Sequence, residues 1–427
     1  MTWLAAWLIV AATIACLLLV VPVARRTGLG IWHPAVAWLA LEVVFFGLGS
    51  AILAVRDGRP GPALFVGAAF LAFGIAVAAS DRLAVRRGGR PGSSPPGAGE
   101  AVPGEEPGRS TDIRSAVVVA LALLGLVALL PTLASVGIPA LAGDITGARS
   151  EVGGLDLQVL RVTLPAAVLV AVIGAIRVVD RRSRLIALVA FLVAVTAELA
   201  LASRYLAVEL VAAIVLAVAI LGRPIPTRIL IAVVLIGALL FAGVGVLRAY
   251  DQAAGRELAF AAERTVNRIV LIEPRTLDAL QSVIPSEEPF FGGLTWFRRL
   301  GPLFGRDDIP NLGYWIYPRL FPGQAIPGYA APGLVGEGWA NFGVLGLGLF
   351  ALLGLVVERL GALVAMRRRE TADVVAAGLA ILFVARTHAL GLNGLAILIV
   401  LVVAWRLLVA PVGTLARDAK TILTWRS

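Results

Sequence analysis

Residues 185–221 read LIALVAFLVAVTAELALASRYLAVELVAAIVLAVAIL, and their only charged side chains are Glu198, Arg204 and Glu209. An α-helix needs about 20 apolar residues to cross a bilayer, and this run is roughly twice that long. We therefore predict two membrane-spanning helices joined by a very tight turn. Arg204, in the sequence SRY at residues 203–205, lies at the tip of that turn.

Comparable apolar runs recur along the whole chain. Of its 427 residues 59% are hydrophobic, and the mean hydropathy is +0.92, whereas a soluble domain is nearer half apolar. The sequence thus predicts an all-α, polytopic membrane protein with about eleven transmembrane helices. The predicted spans are 3–23, 35–55, 62–80, 115–135, 158–177, 185–202, 205–222, 229–247, 335–357, 373–390 and 393–410.

The positions of the basic residues predict the orientation. Arg25 and Arg26 follow the first apolar run and do not precede it, which argues against a cleavable signal peptide and favours an external N-terminus. Alternating loops then hold 22 of the 37 basic residues on the cytoplasmic side and 15 outside, as the positive-inside rule expects. This topology accounts for the net charge of +10, so no nucleic acid partner is predicted. We expect a multi-pass protein of the inner (plasma) membrane with a cytoplasmic C-terminus.

The predicted spans and loops divide the chain into five parts. Residues 1–85 carry helices 1–3, 86–113 form a Pro/Gly/Ser-rich disordered cytoplasmic linker, and 114–247 carry helices 4–8. Residues 248–334 are the one large external loop, and 335–427 hold helices 9–11 and a cytoplasmic tail. A long loop rich in aromatic and charged residues is usually functional, so the chemistry is predicted on the external face.

Arginine is concentrated on this predicted external face. Arg204 either forms a structural pair with Glu198 or Glu209, or belongs to an anion site at the outer interface. The guanidinium group matches phosphate oxygens, so the external arginines would suit either acidic lipid headgroups or a lipid that carries a diphosphate. The further candidates on that face are Arg248, Arg319 and Arg386.

Residues 333–348 read GLVGEGWANFGVLGLG and lead from the long loop into the ninth span. Glu337 and Asn341 are four residues apart and share one helix face, with Trp339 beside them near the helix start. Glu337 would serve as a general base, as a ligand to a sugar hydroxyl or as a partner for an arginine. The alternative is a capping role with a favourable helix dipole.

A second possible base lies in the last external turn, RTHALGLNG at residues 386–394. His388 follows Arg386 there and either accepts a proton or is a plain interfacial histidine. The sequence shows no DxD-type acidic pair, no phosphate-binding glycine loop and no metal cluster, so neither a metal nor a cofactor is expected. It also shows no paired Gly- or Pro-broken half-helices of the kind that secondary transporters use.

The tight SR turn, the long external loop and the pattern Gly333, Gly336, Glu337, Asn341, Phe342, Gly343, Gly346 resemble the O-antigen polymerase (Wzy-type) family over roughly residues 185–360. The resemblance implies a metal-independent, inverting membrane glycosyltransferase of the GT-C type. Such an enzyme joins oligosaccharide units carried on undecaprenyl diphosphate. Membrane lipids and other polysaccharide-assembly proteins are the further partners implied.

The resemblance also implies roles for the candidate residues. The diphosphate would be bound by Arg204 and Arg248, then Arg386 and Arg319, and the base would be Glu337 or His388. Asn341, Trp339 and Tyr317 would contact sugar. Two alternatives remain open: an O-antigen ligase-like glycan transferase, and a transporter or flippase of lipid-linked sugars, which would place charges along a central cavity in several spans.

Overall fold

The computed structural model describes residues 2–86, 107–142, 155–178, 180–201, 266–296, 308–323 and 328–367, with isolated positions at 210–235, 298 and 374–382. Most of these residues are helical and none lies in a strand, which confirms the all-α prediction for this part of the chain. Five helices are long and apolar enough to cross a membrane: Thr2–Arg26, Pro34–Arg56, Pro60–Val85, Ala116–Leu141 and Gly333–Ala362. The total of about eleven spans stays a prediction.

The described helices are α1 Thr2–Arg26, α2 Pro34–Glu42, α3 Leu48–Arg56, α4 Pro60–Arg86, α5 Pro107–Val136, α6 Leu155–Val178, α7 Arg181–Ala200, α8 Ile272–Val283, α9 Leu312–Leu320, α10 Gly333–Phe342 and α11 Leu347–Arg367. Nine of the described helices overlap predicted spans, whereas α8 and α9 lie in the stretch 248–334 that was predicted as an external loop. Helix α5 begins inside the stretch 86–113 that the sequence predicts to be a linker.

The described helices belong to two compact units. Helices α1–α4 and α8–α11 lie in the first unit, within Met1–Ser93 and Val266–Met366, and α5–α7 lie in the second, within Ser94–Thr265. In the second unit, a Cβ built on Gly125 of α5 would lie 2.6 Å from the hydroxyl of Thr163 on α6. That glycine therefore lets two apolar helices approach closely, as small residues do in membrane bundles.

Small residues also hold α1 against α4 in the first unit. A Cβ built on Gly67 would lie 3.5 Å from the Ala12 Cβ, and one on Gly74 would lie 2.9 Å from the Cys16 sulfur. Lipid tails are as apolar as leucine, so close backbone packing, not water exclusion, drives such contacts. The spacing of seven residues between the two glycines keeps them on one face of α4.

An aromatic core joins α2, α4 and α11. The Trp38 ring lies 4.1 Å from the Phe73 ring, 6.4 Å from Phe70 and 6.3 Å from Phe350, and all four side chains are fully buried. Rings at these separations add about 0.5–1.5 kcal/mol per pair beyond burial. Helix α11 packs so closely here that a Cβ on Gly354 would lie 2.6 Å from the Phe73 carbonyl oxygen.

Two of the candidate spans in this unit are interrupted. The second carries a π-helix at Val43–Gly47 between α2 and α3. The span predicted over 335–357 lies within the candidate span Gly333–Ala362, which consists of α10, a 3-10 turn at Gly343–Gly346 and α11. The sequence located both spans but not their interruptions; in the second, the glycines at 343 and 346 permit backbone conformations that do not continue an α-helix.

Helix α8, from the stretch predicted as an external loop, lies along α3 and the start of α4. A Cβ on Gly49 would collide with the Val270 carbonyl oxygen just before α8 begins. Further along, Arg59 Nη1 lies 3.3 Å from Asp278 Oδ2, and a Cβ on Gly61 would lie 2.6 Å from Gln281 Oε1. The beginning of α8 is therefore set against the middle of a candidate membrane span.

Candidate functional site

The glycines of the 333–346 motif build the break in the ninth span. Gly343 has φ +56° and ψ −132°, a conformation that residues with a Cβ rarely adopt, and its own Cβ would meet the Phe290 ring at 2.7 Å. A Cβ on Gly346 would collide with the backbone of Gly338. These two positions therefore require glycine for backbone reasons alone.

Asn341 fastens the end of α10 to the segment that follows α8. Its Oδ1 accepts from the Gly293 N–H at 2.9 Å, while its Nδ2 donates to the Thr295 hydroxyl at 2.7 Å and to the Glu337 carbonyl at 2.9 Å. The residue is 1% exposed. With both ends of the amide bound to protein, a structural role accounts for Asn341, and its predicted sugar contact would require these bonds to open.

Trp339 is fixed by packing and by one hydrogen bond. Its indole N–H donates to the Ile284 carbonyl at 3.2 Å, and its ring meets Phe65 edge-on at 5.2 Å and Phe290 at 6.4 Å. A ring held on these sides ties α10 to α4 and to the end of α8. This geometry explains Trp339 without a sugar.

Glu337 is the one ionisable side chain of the motif. It is 6% exposed and lies on α10 within electrostatic reach of Tyr329. Burial is the largest cause that raises the pKa of the Tyr329 hydroxyl, and the negative charge of Glu337 is the next; the charge of exposed Arg298 acts in the opposite direction. Glu337 and Asn341 lie on one helix, as their spacing predicts. The charges of Glu337 and Arg298 both act on the Tyr329 hydroxyl.

Two further acids extend this group into the helix bundle. The negative charge of Glu273 on α8 raises the pKa of the Tyr329 hydroxyl, as that of Glu337 does. The charge of Glu42 at the end of α2 in turn raises the pKa of Glu273. Glu42 is 0% and Glu273 5% exposed. We call Glu42, Glu273 and Glu337 the acid cluster. Among the described residues, no group of three or more His, Cys, Asp or Glu side chains is arranged to hold a metal ion.

The two candidates on α9 have contacts of their own. The Arg319 guanidinium lies 4.5 Å from the centre of the Trp315 ring, and its Nη2 lies 3.8 Å from Glu287 Oε2 at the surface. The Tyr317 ring packs 4.8 Å from Phe321 and so close to Gly328 that a Cβ there would collide with it. Both residues help to fold the segment between α8 and α10.

The remaining predicted site residues are Arg204, Arg248, Arg386 and His388, and they lie outside the residues that the structure describes. Their predicted roles stay predictions. The choice between Glu337 and His388 as the base therefore stays open, although the surroundings of Glu337 are now visible.

Sequence reasoning missed Glu42, Glu273 and Tyr329. Glu42 had a usable signal, because it is the only charged residue between Pro34 and Val55, and an ionisable residue inside an apolar span marks a functional candidate. Glu273 had none, since it stands in a charged stretch whose burial depends on how α8 packs. Tyr329 had no signal either, because nothing in the sequence distinguishes it from the other aromatic residues of the predicted loop.

The chain matches no protein-family model, no curated protein and no solved structure. The resemblance to O-antigen polymerases therefore stays a prediction that rests on the motif residues themselves.

Proposed function

We propose that this protein is a membrane polysaccharide polymerase that joins oligosaccharide units carried on a lipid diphosphate. The observation that supports this proposal most is the position of Glu337 within the motif. The glycines of the motif produce the helix break and Asn341 fixes its end, while Glu337 is a buried carboxylate whose charge acts on Tyr329, as the opposite charge of Arg298 does. A motif that builds a rigid break around one carboxylate is suited to hold that carboxylate in a fixed orientation.

In the proposed reaction, Glu337 removes the proton from an acceptor sugar hydroxyl. The hydroxyl oxygen forms a bond to the anomeric carbon of the donor chain while the bond from that carbon to the lipid diphosphate breaks. The configuration inverts, and the diphosphate leaves with the bonding electrons. A positioned general base contributes about 10²–10⁴ to such a rate, and His388 remains the alternative base.

The leaving diphosphate requires cations, and the proposed source is arginine. Arg204, Arg248 and Arg386 are the candidates from sequence, because a guanidinium binds phosphate oxygens in a forked geometry. Arg319 would have to exchange its contact with Glu287 for one with substrate. A 3.8 Å pair between side chains that are 38% and 63% exposed is weak enough to be exchanged in this way.

A transporter of lipid-linked sugars is the second candidate, and the interrupted helices favour it. Irregular backbone at membrane depth is tolerated where it is buried in protein or lines a watery cavity, and transporters bind substrate at such breaks. The π-helix at Val43–Gly47 and the turn at Gly343–Gly346 are two interruptions in the first unit. The aromatic core beside the π-helix is closely packed, so we favour transfer over transport.

The deciding experiment uses the purified full-length protein in liposomes with a lipid diphosphate-linked oligosaccharide. Polymerisation gives a ladder of products that differ by one repeat, and a ligase-like transferase gives one step onto a different acceptor. A transporter gives unchanged substrate that becomes accessible on the other side. The proposal expects the ladder, with EDTA present or absent; a ladder that requires a divalent cation would contradict the role given to arginine.

A further inference from the structure

Glu42 is a carboxylate in an unusual place. It stands in the middle of an otherwise apolar candidate span, at the residue where α2 passes into the π-helix. Its side chain is 0% exposed, and within the described part of the chain neither carboxylate oxygen has a hydrogen-bond partner. An ionised carboxylate left in this state would cost several kcal/mol, so something must neutralise it or bind to it.

Helix α8, which carries Glu273, packs against α3 and against the π-helix that begins directly after Glu42. The start of α8 lies against Gly49 of α3. A Cβ built on Gly49 would lie 2.7 Å from the ring of Pro274, the residue that follows Glu273. Glu273 Oε2 also has no hydrogen-bond partner among the described residues. Burial is the main cause that raises the pKa of Glu273 well above its ordinary value, and the Glu42 charge acts in the same direction; Arg268 opposes them.

The surrounding charged groups limit how the pair can be neutralised. The charge of Glu273 acts on Tyr329, as that of Glu337 does, and neither Tyr329 nor Glu337 brings a positive charge. Arg59 forms an ion pair with Asp278 farther along α8. From the helices packed on α2 and α3, Cys16 of α1 lies against Gly74, and Asp81 of α4 lies 2.7 Å from Arg26. Arg268 is thus the described cation that acts on the pair, and it balances one of the two negative charges.

We propose that Glu42 and Glu273 form a binding site for one proton, which the two carboxyl groups share while Arg268 balances the charge that remains. A protonated carboxyl group gains an O–H donor, and in the proposed site the other carboxylate accepts that hydrogen bond. One shared proton therefore both supplies the missing hydrogen bond and removes one of the two negative charges. Two carboxylates that share a site behave in this way because both cannot ionise at close range.

This site is independent of glycosyl transfer, so it can be tested on the protein alone. Infrared spectra of the full-length protein in nanodiscs would be recorded across pH, in water and in D₂O. The C=O stretch of a protonated carboxyl group differs from the carboxylate bands and shifts on deuteration. We expect that stretch to persist at pH 7 in the wild type, where ordinary glutamates with pKa values of about 4.3 are ionised.

Matched variants assign the band. Glu42→Gln and Glu273→Gln keep the side-chain shape, and each is expected to remove the band at pH 7. Glu287→Gln, at a carboxylate that is 63% exposed, is the control and should leave it unchanged. A band that survives in both Gln variants would overturn the proposal.

Two measurements on the wild type test the proposal even if a variant does not fold. The wild type alone refutes it if all carboxyl absorbance disappears near pH 4–5, the range of ordinary carboxyl groups. Exchange of choline for sodium at constant pH tests the other small cation that would suit two carboxylates. Loss of the band on adding sodium would show that the pair binds a metal cation in place of the proton, which also overturns the proposal.

Discussion

Two sets of buried acids in the first unit differ in how they are compensated. In one set, Asp81 lies 2.7 Å from Arg26, and Glu358 accepts a 2.6 Å hydrogen bond from Ser80. We call these four residues the paired set. In the acid cluster, by contrast, Glu42 and Glu273 have carboxylate oxygens without hydrogen-bond partners among the described residues.

This difference separates acids that support the fold from acids that are available for chemistry. A charge that stabilises a helix bundle comes with its counter-charge or donor, because an uncompensated buried charge is too costly to retain. The paired set meets that requirement within the protein. Glu42 and Glu273 meet it incompletely among the described residues, and a proton would complete it.

The largest expected effect separates the two sets by activity. Glu337→Gln should lower polymer formation by at least about 100-fold, since the amide cannot accept the hydroxyl proton, while its melting temperature stays close to that of the wild type. Glu358→Gln is the matched control from the paired set: its amide oxygen can still accept from Ser80, so activity should remain. Full activity of Glu337→Gln would remove Glu337 from the mechanism and leave His388 as the base.

Asn341 resembles the paired set in that each end of its amide has a partner. Asn341→Ala should destabilise the protein by about 2–4 kcal/mol, because it leaves the Gly293 N–H and the Thr295 hydroxyl buried without partners. Asn311→Ala, which removes one 3.3 Å capping bond at the start of α9, should cost only about 1 kcal/mol. Denaturant titration in mixed micelles measures both. A stable Asn341→Ala that loses activity would instead favour the predicted sugar contact.

Removal of a counter-charge should convert a member of the paired set into an acid like Glu42. Arg26→Ala leaves Asp81, which is 0% exposed, without its 2.7 Å partner. We expect a loss of roughly 1–3 kcal/mol, less than for a fully buried pair because Arg26 is itself half exposed. The same titration checks it, with Arg359→Ala, whose nearest approach to Glu358 is 3.8 Å, as a weaker comparison. Equal losses from both would contradict the distinction.

The smallest effect concerns pH. Because burial raises the folded-state pKa of Glu273, its share of stability is complete below the ordinary value of about 4.5 and is lost as pH rises toward the raised value. The wild-type melting temperature should therefore fall by a few degrees from pH 4.5 into the alkaline range. Glu273→Gln should flatten that slope, and Glu287→Gln should not. A variant with the wild-type slope would exclude Glu273 as its cause.

Much of the described fold was predictable from the sequence. Runs such as those at 3–23 and 62–80 are long, apolar and almost free of charge, and no soluble arrangement would bury them, so helical spans follow from the length of each run alone. The same reasoning located the span at residues 335–357 but not the interruption inside it. Hydropathy there is continuous, but the conformation of Gly343 and the close approach of Gly346 to Gly338 break the helix.

The candidate site was predictable only in its local part. The spacing of Glu337 and Asn341 placed both on one helix, because that spacing fixes a shared face whatever the helix packs against. It could not assign their roles. The hydrogen bonds of Asn341 to Gly293 and Thr295, and that of Trp339 to Ile284, join residues far apart in sequence. They therefore depend on how α8 and α10 pack.

By itself, the sequence determined that this chain forms apolar helices long enough to cross a membrane, and that Glu337 stands in a glycine-rich helix start. Only the tertiary structure decided which acids lack partners. Helix α8 brings Glu273, far away along the chain, against α3 and the π-helix, and the packed helices remove Glu42 from solvent. Burial and electrostatic partnership are properties of the surroundings in space, so residue type and spacing determine neither.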